Sequence, residues 1–214
     1  MNHHKISRLS LVFFLVAVTA AGSLPGESKS TTSQPEYRLP HPLYTAQAGK
    51  MRDQVLAETG KNPIFKAWLF HTKHDATSYR ITYATQYRGR EITVSGAILL
   101  PHDLSAPRPL LVFLHGTSFA RDNVPSMWTS PNPYLLPAMS GFITLLPDYI
   151  GYGYAGKGIL HPYMQQRPDV RSVIDGIQAA RQILAAHGIK LRKELFETRP
   201  FFFSKWFTSV LCFI

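Results

Sequence analysis

Two short polar segments of the sequence combine residue types that can do chemistry on a carbonyl group. The first is His115-Gly116-Thr117-Ser118, which directly follows an apolar run, Leu110–Leu114. A glycine at the end of a buried strand lets the backbone approach a substrate closely, and the N–H groups that follow it can point at a developing oxyanion. The residues alone leave a second interpretation open, a strand-to-loop turn that needs glycine only for its dihedral angles. The segment is therefore a candidate for an oxyanion hole at Gly116, Thr117 and Ser118, with the turn as the alternative.

The second segment is Asp148-Tyr149-Ile150-Gly151-Tyr152-Gly153-Tyr154, which follows another apolar run, Phe142–Leu146. An aspartate can accept hydrogen bonds from the N–H groups of its own turn, and glycines relax such a turn. We interpret Asp148 as architectural rather than catalytic, because the sequence shows no histidine partner for it. His161 is a candidate for lining the same cleft, with a packed surface loop as the alternative. The residues predicted to shape the pocket and its turns are His115, Asp148, Tyr149, Gly151, Gly153 and His161.

The strands that position these segments are visible in the hydrophobic pattern. Residues 78–87 and 91–100 flank Arg88-Gly89-Arg90 with largely alternating side chains, which predicts an antiparallel hairpin. The two apolar runs do not alternate, as expected of strands buried on both faces of a parallel sheet. These elements predict an α/β fold, in which ligands bind beyond the carboxyl ends of the strands.

Two segments have a helical pattern. Between Asp169 and His187 the apolar residues recur at helical spacing, with Asp169 as the predicted N-cap and Gly188 as the residue after the C-cap. This helix is expected to cross over between parallel strands. Residues 39–69 also have a helical pattern, which proline interrupts.

The composition argues against several other classes of protein. The 214 residues include 23 Lys and Arg against 13 Asp and Glu, for a net charge of +10. These basic residues are scattered, whereas a nucleic-acid surface usually shows a basic stripe with aromatic residues between, so no nucleic-acid partner is predicted. Cys212 is the single cysteine, which rules out an intrachain disulfide, and no Cys/His cluster has the spacing of metal ligands. The sequence predicts neither a metal nor a cofactor.

Residues 1–22 have the composition of a secretory signal peptide. A polar, partly basic start precedes an apolar run over residues 9–21, and small residues follow where a signal peptidase can cut. The run is shorter than the roughly 20 residues that a helix needs to span a bilayer, so no stable membrane span is predicted, with an uncleaved anchor as the alternative. Residues 23–37 are rich in Ser, Thr and Pro, which predicts a flexible linker. We therefore expect export, to the periplasm or out of the cell.

The order of these motifs is similar to that of a known family. The hairpin is followed by Leu-Val-Phe-Leu-His-Gly-Thr, Leu-Leu-Pro-Asp-Tyr-Ile-Gly-Tyr-Gly, His-Pro-Tyr and Val-Ile-Asp-Gly-Ile-Gln-Ala-Ala-Arg. In this order the motifs resemble those of exported α/β-hydrolases, in particular secretory-lipase-like esterases, over residues 79–196. The resemblance implies serine-dependent acyl transfer from small-molecule or lipid esters. It also implies an oxyanion hole around Gly116–Ser118, with Asp148 and the glycines after it holding the neighbouring turn.

The sequence departs from that family where the nucleophile is expected. In the family the helix is followed by a short strand and a Gly-x-Ser-x-Gly elbow that exposes the serine, and the acid and the histidine come later. Residues 190–196 occupy the position of that strand, but the sequence contains no Gly-x-Ser-x-Gly. Ser118, Ser140 and Ser204 lack this context. No catalytic residue is assigned, and we expect the chain to be inactive as written.

These observations divide the chain into parts. Residues 38–197 are interpreted as a partial α/β-hydrolase domain, and residues 198–214 as an aberrant hydrophobic tail produced by a frameshift near Phe196. A hydrophobic anchor or a partner-binding tail is the alternative for residues 198–214. The function expected from the resemblance is that of a fragment of an exported serine esterase or lipase. The alternative is a non-catalytic exported binding protein that uses the same scaffold.

Overall fold

The computed structural model describes residues 42–59 and 71–198, together with Leu39 and Leu69. Its strands form one six-stranded sheet in the order β1-β2-β3-β5-β4-β6. The strands are β1 (Pro42–Ala46), β2 (Ala76–Tyr87), β3 (Arg90–Pro101), β4 (Arg108–Phe113), β5 (Ile143–Pro147) and β6 (Leu191–Thr198). The helices are α1 (Ala48–Thr59), α2 (Leu136–Met139) and α3 (Gln166–Ala186), and short 3₁₀ turns lie at Pro125–Met127 and Pro133–Leu135.

The antiparallel half of the sheet contains the hairpin that the sequence predicts. β2 and β3 pair without interruption from Ala76↔Pro101 to Tyr87↔Arg90, so Arg88 and Gly89 alone form the turn. Both residues have positive φ, 51° and 71°, as a two-residue type I′ turn requires. The twist of such a turn matches that of the strands it joins, which keeps the two 12-residue strands in register.

The other half of the sheet contains the parallel strands. β4 pairs in parallel with β5 on one side and with β6 on the other, whereas β5 pairs antiparallel with β3, so the sheet is mixed. α3 connects β5 to β6 as the expected crossover helix. The α/β class, with its hairpin, parallel strands and crossover helix, is confirmed.

The ends of α3 show one correct and one wrong prediction. Gly188 has a φ of 68° and follows the C-cap, as predicted. Its N–H donates to the Ala185 carbonyl at 3.0 Å and the Ile189 N–H donates to the Leu184 carbonyl at 2.9 Å, which is a Schellman motif. The predicted N-cap is wrong, because the cap residue is Gln165 and Asp169 lies in the first turn of the helix.

Both faces of the sheet are covered, as the non-alternating apolar runs predict. Neighbouring residues of a strand point to opposite faces, so β5 must be apolar at both sets of positions. One face, with Ile98 and Leu145, packs against Val173, Ile177 and Leu184 of α3. The other face, with Leu99 and Leu146, packs against Met51 and Val55 of α1 and Met139 of α2.

The segment before the hairpin differs from the prediction. Pro42–Ala46 is a strand that pairs antiparallel with β2, whereas Ala48–Thr59 is helical. Because β1 lies at the edge of the sheet, a proline at its first position costs no ladder hydrogen bond. The predictions of a signal peptide, a linker and a hydrophobic tail concern residues 1–22, 23–37 and 198–214, of which only Thr198, the last residue of β6, lies in the described ranges. Among the described helices, none is long and apolar enough to cross a membrane.

Candidate active site

The candidate site lies at the carboxyl edge of the parallel strands. β4 ends at Phe113 and β5 at Pro147, so the segments that follow them leave the sheet at the same edge. β6 ends there as well, with Thr198 paired to Phe113. A cleft of about 700 Å³ opens beside the segment that follows β4. Residues that line it include His115, Gly116, Thr117, Ser118, Phe119, Asn123, Met127, Trp128, Asn132 and Tyr134.

Residues 116–119 form one wall of this cleft, which we call the oxyanion wall. It contains the predicted oxyanion residues Gly116, Thr117 and Ser118. Gly116 and Ser118 are partly exposed and Thr117 is exposed, so a ligand in the cleft can reach their backbone. Within residues 42–59 and 71–198, no partner accepts a hydrogen bond from the N–H groups of residues 116–119. Backbone N–H groups are strong donors that need an acceptor, from solvent or a ligand if not from the chain. The wall therefore presents the kind of donors that an oxyanion requires.

The carbonyl groups of the same wall are held by side chains. Tyr149 Oη donates to the His115 carbonyl at 3.2 Å, and Tyr152 Oη donates to the Ser118 carbonyl at 2.9 Å. His115 Nδ1 lies 2.7 Å from the carbonyl oxygen of Gly116. A carbonyl oxygen can only accept, so Nδ1 carries the proton and the imidazole is held in one tautomer. Three of the carbonyl groups next to the candidate donors are thus fixed in direction.

His115 lines the cleft and is a neutral residue. Burial lowers the pKa of its imidazole, against the opposing effect of the hydrogen bond to Gly116. Its ring packs on that of Tyr149 with 4.6 Å between the centroids, and its Nε2 has no hydrogen-bond partner among the described residues. Because the ring is uncharged, anion binding at this wall depends on oriented backbone dipoles.

Asp148 is fully buried and joins three segments of the chain. Its Oδ2 accepts a hydrogen bond from Ser95 Oγ of β3 at 2.6 Å, and its Oδ1 accepts one from the Ser126 N–H at 2.9 Å. Burial raises the pKa of this carboxyl group, and the hydrogen bonds from Ser126 and Ser95 oppose that effect. These partners are serine and backbone donors, which fits an architectural role for Asp148. A role in shaping the pocket stays a prediction.

The two serines extend this network to the loop after Asp148. Ser126 Oγ accepts a hydrogen bond from the Tyr154 N–H at 3.0 Å, and Ser95 Oγ accepts one from the Ala155 N–H at 3.2 Å. The loop of residues 148–155 is therefore tied to β3 and to the 3₁₀ turn that contains Ser126. Since that turn follows the oxyanion wall in the chain, the network links the wall to the loop.

The remaining predicted pocket residues lie in or beside this loop. His161 Nδ1 donates to the Ile150 carbonyl at 2.8 Å, partial burial lowers the pKa of its imidazole, and its ring lies 4.6 Å from that of Tyr152. Of the residues predicted to shape the pocket, His115 lines the cleft, whereas the others are not part of the wall described above. Those others are Asp148, Tyr149, Gly151, Gly153 and His161.

The described serines are not arranged for nucleophilic attack. Ser118 Oγ donates to the carbonyls of Ala120 and Asn123, at 2.8 and 3.1 Å, and Ser140 Oγ donates to the Leu136 carbonyl at 2.9 Å. A serine nucleophile needs a base within hydrogen-bond reach, and no histidine ring bonds a serine hydroxyl in the described ranges. Ser204 lies outside them. Those ranges also contain no group of three or more residues suited to hold a metal ion.

Sequence reasoning missed several residues that build the site. Tyr152 belongs to the analysed glycine-rich motif, and the alternation of tyrosine with glycine was a signal for its role. Ser95 and Ser126 carried no signal, because only the fold brings them to Asp148. The aromatic wall of the cleft was also missed: the Trp128 and Tyr134 rings stack at 4.9 Å, and Phe113 meets Tyr134 edge-on at 5.1 Å.

No protein-family model matches the chain, and no curated protein matches it. Solved structures do match. A Legionella pneumophila protein with a provisional description as a hydrolase has a TM-score of 0.58 and 25% sequence identity, over 71% of this chain and 40% of its own. The rice cell wall degrading esterase LipA of Xanthomonas oryzae, in a ligand-bound form, has a TM-score of 0.55 and 23% identity, over 71% of this chain and 38% of its own.

These similarities define the class of the fold. The mixed sheet with parallel central strands and flanking helices is an α/β-hydrolase-like fold, and its structural neighbours are described as a hydrolase and an esterase. The chain spans about 40% of the length of the solved structures it matches.

Proposed function

We propose that the chain carries the oxyanion-binding part of an exported ester hydrolase of the serine esterase or lipase type. One observation carries the proposal: Gly116–Ser118, whose backbone N–H groups have no acceptor in the described ranges, line a cleft at the carboxyl edge of the sheet. The esterase and hydrolase neighbours support it. The proposed substrates are carboxylic esters of small molecules or lipids, with the ester carbonyl oxygen against this wall.

The geometry suits the charge that develops in acyl transfer. Attack on an ester makes its carbonyl carbon tetrahedral and places negative charge on the oxygen. Donors that are already oriented stabilise this charge, and each is typically worth ~2.7–4 kcal/mol. Here the donors would be backbone dipoles of a wall whose carbonyls are held by Tyr149, His115 and Tyr152.

The described residues supply no nucleophile for this chemistry. The sequence has no Gly-x-Ser-x-Gly, and the hydroxyl of Ser118, one of the serines that line the cleft, donates to backbone carbonyls. We therefore propose that these 214 residues bind the tetrahedral species without turning over esters. Export is proposed on the composition of residues 1–22 alone.

The absence of turnover is tested with the purified 214-residue chain. It is incubated with p-nitrophenyl pentanoate, and separately with a fluorophosphonate that labels activated serines. We expect the rate of p-nitrophenolate release to equal that of the heat-denatured chain. After incubation with the fluorophosphonate, the intact mass of the chain should be unchanged. Stoichiometric labelling of one serine would show that a nucleophile is present and that this part of the proposal is wrong.

The binding part is tested with methyl butylphosphonate, a tetrahedral monoanion that resembles the species formed from methyl pentanoate. In ¹H–¹⁵N spectra of the labelled chain, we expect saturable shifts of the amides on the 116–119 wall. A titration that leaves these amides unmoved would contradict the proposal.

A second candidate function is a non-catalytic exported binding protein. The hydrogen-bonded hydroxyl of Ser118 and the lack of a serine–histidine pair in the described ranges favour it. The site of such a protein is not expected to be complementary to a tetrahedral transition state. The ratio of its affinities for a tetrahedral and a planar anion therefore separates the two candidate functions.

A further inference from the structure

We infer that Tyr149 and Tyr152 are positioning residues that set the direction of the oxyanion donors, and that the third donor is the N–H of Phe119 rather than that of Ser118. The inference rests on the proposed function. It starts from two contacts, in which the hydroxyls of these tyrosines donate to the carbonyls of His115 and Ser118.

The planarity of the peptide bond converts a held carbonyl into a directed N–H. In a trans peptide the C=O of one residue and the N–H of the next point in opposite directions, and the described peptide bonds are all trans. Tyr149 holds the His115 carbonyl, so the Gly116 N–H points away from the Tyr149 hydroxyl. Tyr152 holds the Ser118 carbonyl, and the Phe119 N–H is directed in the same way.

Two peptide groups lie between these held ends, Gly116–Thr117 and Thr117–Ser118, and only the first is fixed in direction by a side chain. His115 Nδ1 donates to the Gly116 carbonyl, which sets the direction of the Thr117 N–H. For the Thr117 carbonyl, the described ranges contain no donor, so no side chain sets the direction of the Ser118 N–H. The donors with a fixed direction are Gly116, Thr117 and Phe119, and the Phe119 N–H has no acceptor within the same ranges. Phe119 also lines the cleft.

The two tyrosines are themselves held in place. Tyr149 has a φ of 68°, a left-handed conformation that is unfavourable for a residue with a side chain and that tends to persist at functional sites. Its ring packs on His115, and the Tyr152 ring packs on His161, which is anchored to the Ile150 carbonyl. A hydrogen bond to a carbonyl also polarises its peptide and strengthens the N–H as a donor. Both hydroxyls thus act on the donors from fixed positions.

The test uses three variants of the 214-residue chain, Tyr149→Phe, Tyr152→Phe and the control Tyr163→Phe. Each removes one oxygen and keeps the ring, and Tyr163 lies on the same connection with its side chain more than half exposed. In the unliganded ¹H–¹⁵N spectrum we expect the Gly116 amide to move in the first variant and the Phe119 amide to move in the second. For methyl butylphosphonate we expect Kd to rise about fivefold in each, the loss of one net hydrogen bond, and to stay unchanged in the control.

These readouts separate positioning from a general loss of stability, because a merely less stable chain keeps its native amide shifts. The inference would be overturned if the variants fold but keep the parent chemical shifts of the Gly116 and Phe119 amides, and bind the phosphonate with Kd values within twofold of the parent. If one variant unfolds, the other still tests the inference, through the Gly116 amide for Tyr149→Phe or the Phe119 amide for Tyr152→Phe. In the parent chain, a larger ligand shift at Ser118 than at Phe119 would overturn the assignment of the third donor.

The failure of the proposed function has a different signature. In that case the parent chain does not bind the phosphonate at all, while the Gly116 and Phe119 amides still move in the two variants. Positioning by the tyrosines would then stand, with a role other than oxyanion binding.

Discussion

A methyl group on residue 153 would occupy the place of the Asp148 carboxylate. Gly153 has a φ of 71°, and a Cβ at this position would overlap Asp148 Oδ2. The carboxylate has little freedom to move aside, because it accepts hydrogen bonds from Ser95 and Ser126. The aspartate and the glycine therefore form one unit, which ties the 148–155 loop to β3 and to the segment that follows the oxyanion wall.

The cost of filling this space can be separated from the cost of the backbone conformation. Gly158 also has a left-handed φ, 80°, but a Cβ there would meet nothing within 4 Å. We expect Gly158→Ala to lower the free energy of unfolding by about 1 kcal/mol. Gly153→Ala should lower it by about 3 kcal/mol, because overpacking adds to the same backbone strain. Denaturant titration measures both, and equal losses would contradict the close contact with Asp148.

The hydrogen bonds of Asp148 predict a large effect of its removal. Asp148→Ala leaves the Ser126 N–H and the Ser95 hydroxyl buried without their acceptor, and we expect the free energy of unfolding to fall by about 2–4 kcal/mol. The control is Asp122→Ala on the exposed loop, which should stay within about 0.5 kcal/mol of the parent. Similar values for the two variants would show that the Asp148 network does not hold the loop.

Asp169 predicts a pH-dependent stability. Burial raises the pKa of its carboxyl group to about 7, and its Oδ1 has no hydrogen-bond partner in the described part of the chain. An unfolded chain has an aspartate pKa of about 3.9, so between roughly pH 4 and 7 the folded state binds more protons than the unfolded state. The stabilising effect of the proton is therefore present at low pH and is lost as the pH rises through the folded pKa.

The variant Asp169→Asn tests this dependence, because asparagine stays uncharged. We expect little change in the free energy of unfolding at pH 4 and an increase on the order of 3 kcal/mol at pH 8. Asp122→Asn, at an exposed site, is the control for the removal of one carboxylate charge. An Asp169→Asn effect of equal size at both pH values would mean that the carboxyl group titrates normally.

Much of the fold was predictable because it depends on local patterns. The positive φ at Arg88 and Gly89 closes the hairpin, and the largely apolar, non-alternating sequence of β5 favours burial on both faces. β1 was not predicted, since a short edge strand beginning at Pro42 is defined by its partner β2 rather than by its own alternation. Asp169 has the residue type of an N-cap, but the helix extends to Gln166 before it.

The site was predictable only in part, for a related reason. The motifs contain Gly116–Ser118 and Asp148, and the parallel pairing of β4 with β5 brings these segments to one edge. The contact of Ser95 with Asp148 depends instead on the register of β3 against β5, which joins residues 53 apart in the sequence. No local pattern contains that information.

The central claim is that the 116–119 wall binds a tetrahedral oxyanion. It is tested most directly by comparing the affinities of the chain for methyl butylphosphonate and for pentanoate, with the binding site located from the amide shifts. Both ligands carry one negative charge and the same butyl chain, so the net charge of +10 attracts them equally. They differ at the charged centre, which is tetrahedral and carries a methoxy group in the phosphonate and is planar in pentanoate. We predict that the phosphonate binds at least about tenfold more tightly, with saturable shifts at Gly116, Thr117 and Phe119. Equal affinities, or binding that leaves these amides unmoved, would contradict the claim and favour the non-catalytic binding protein.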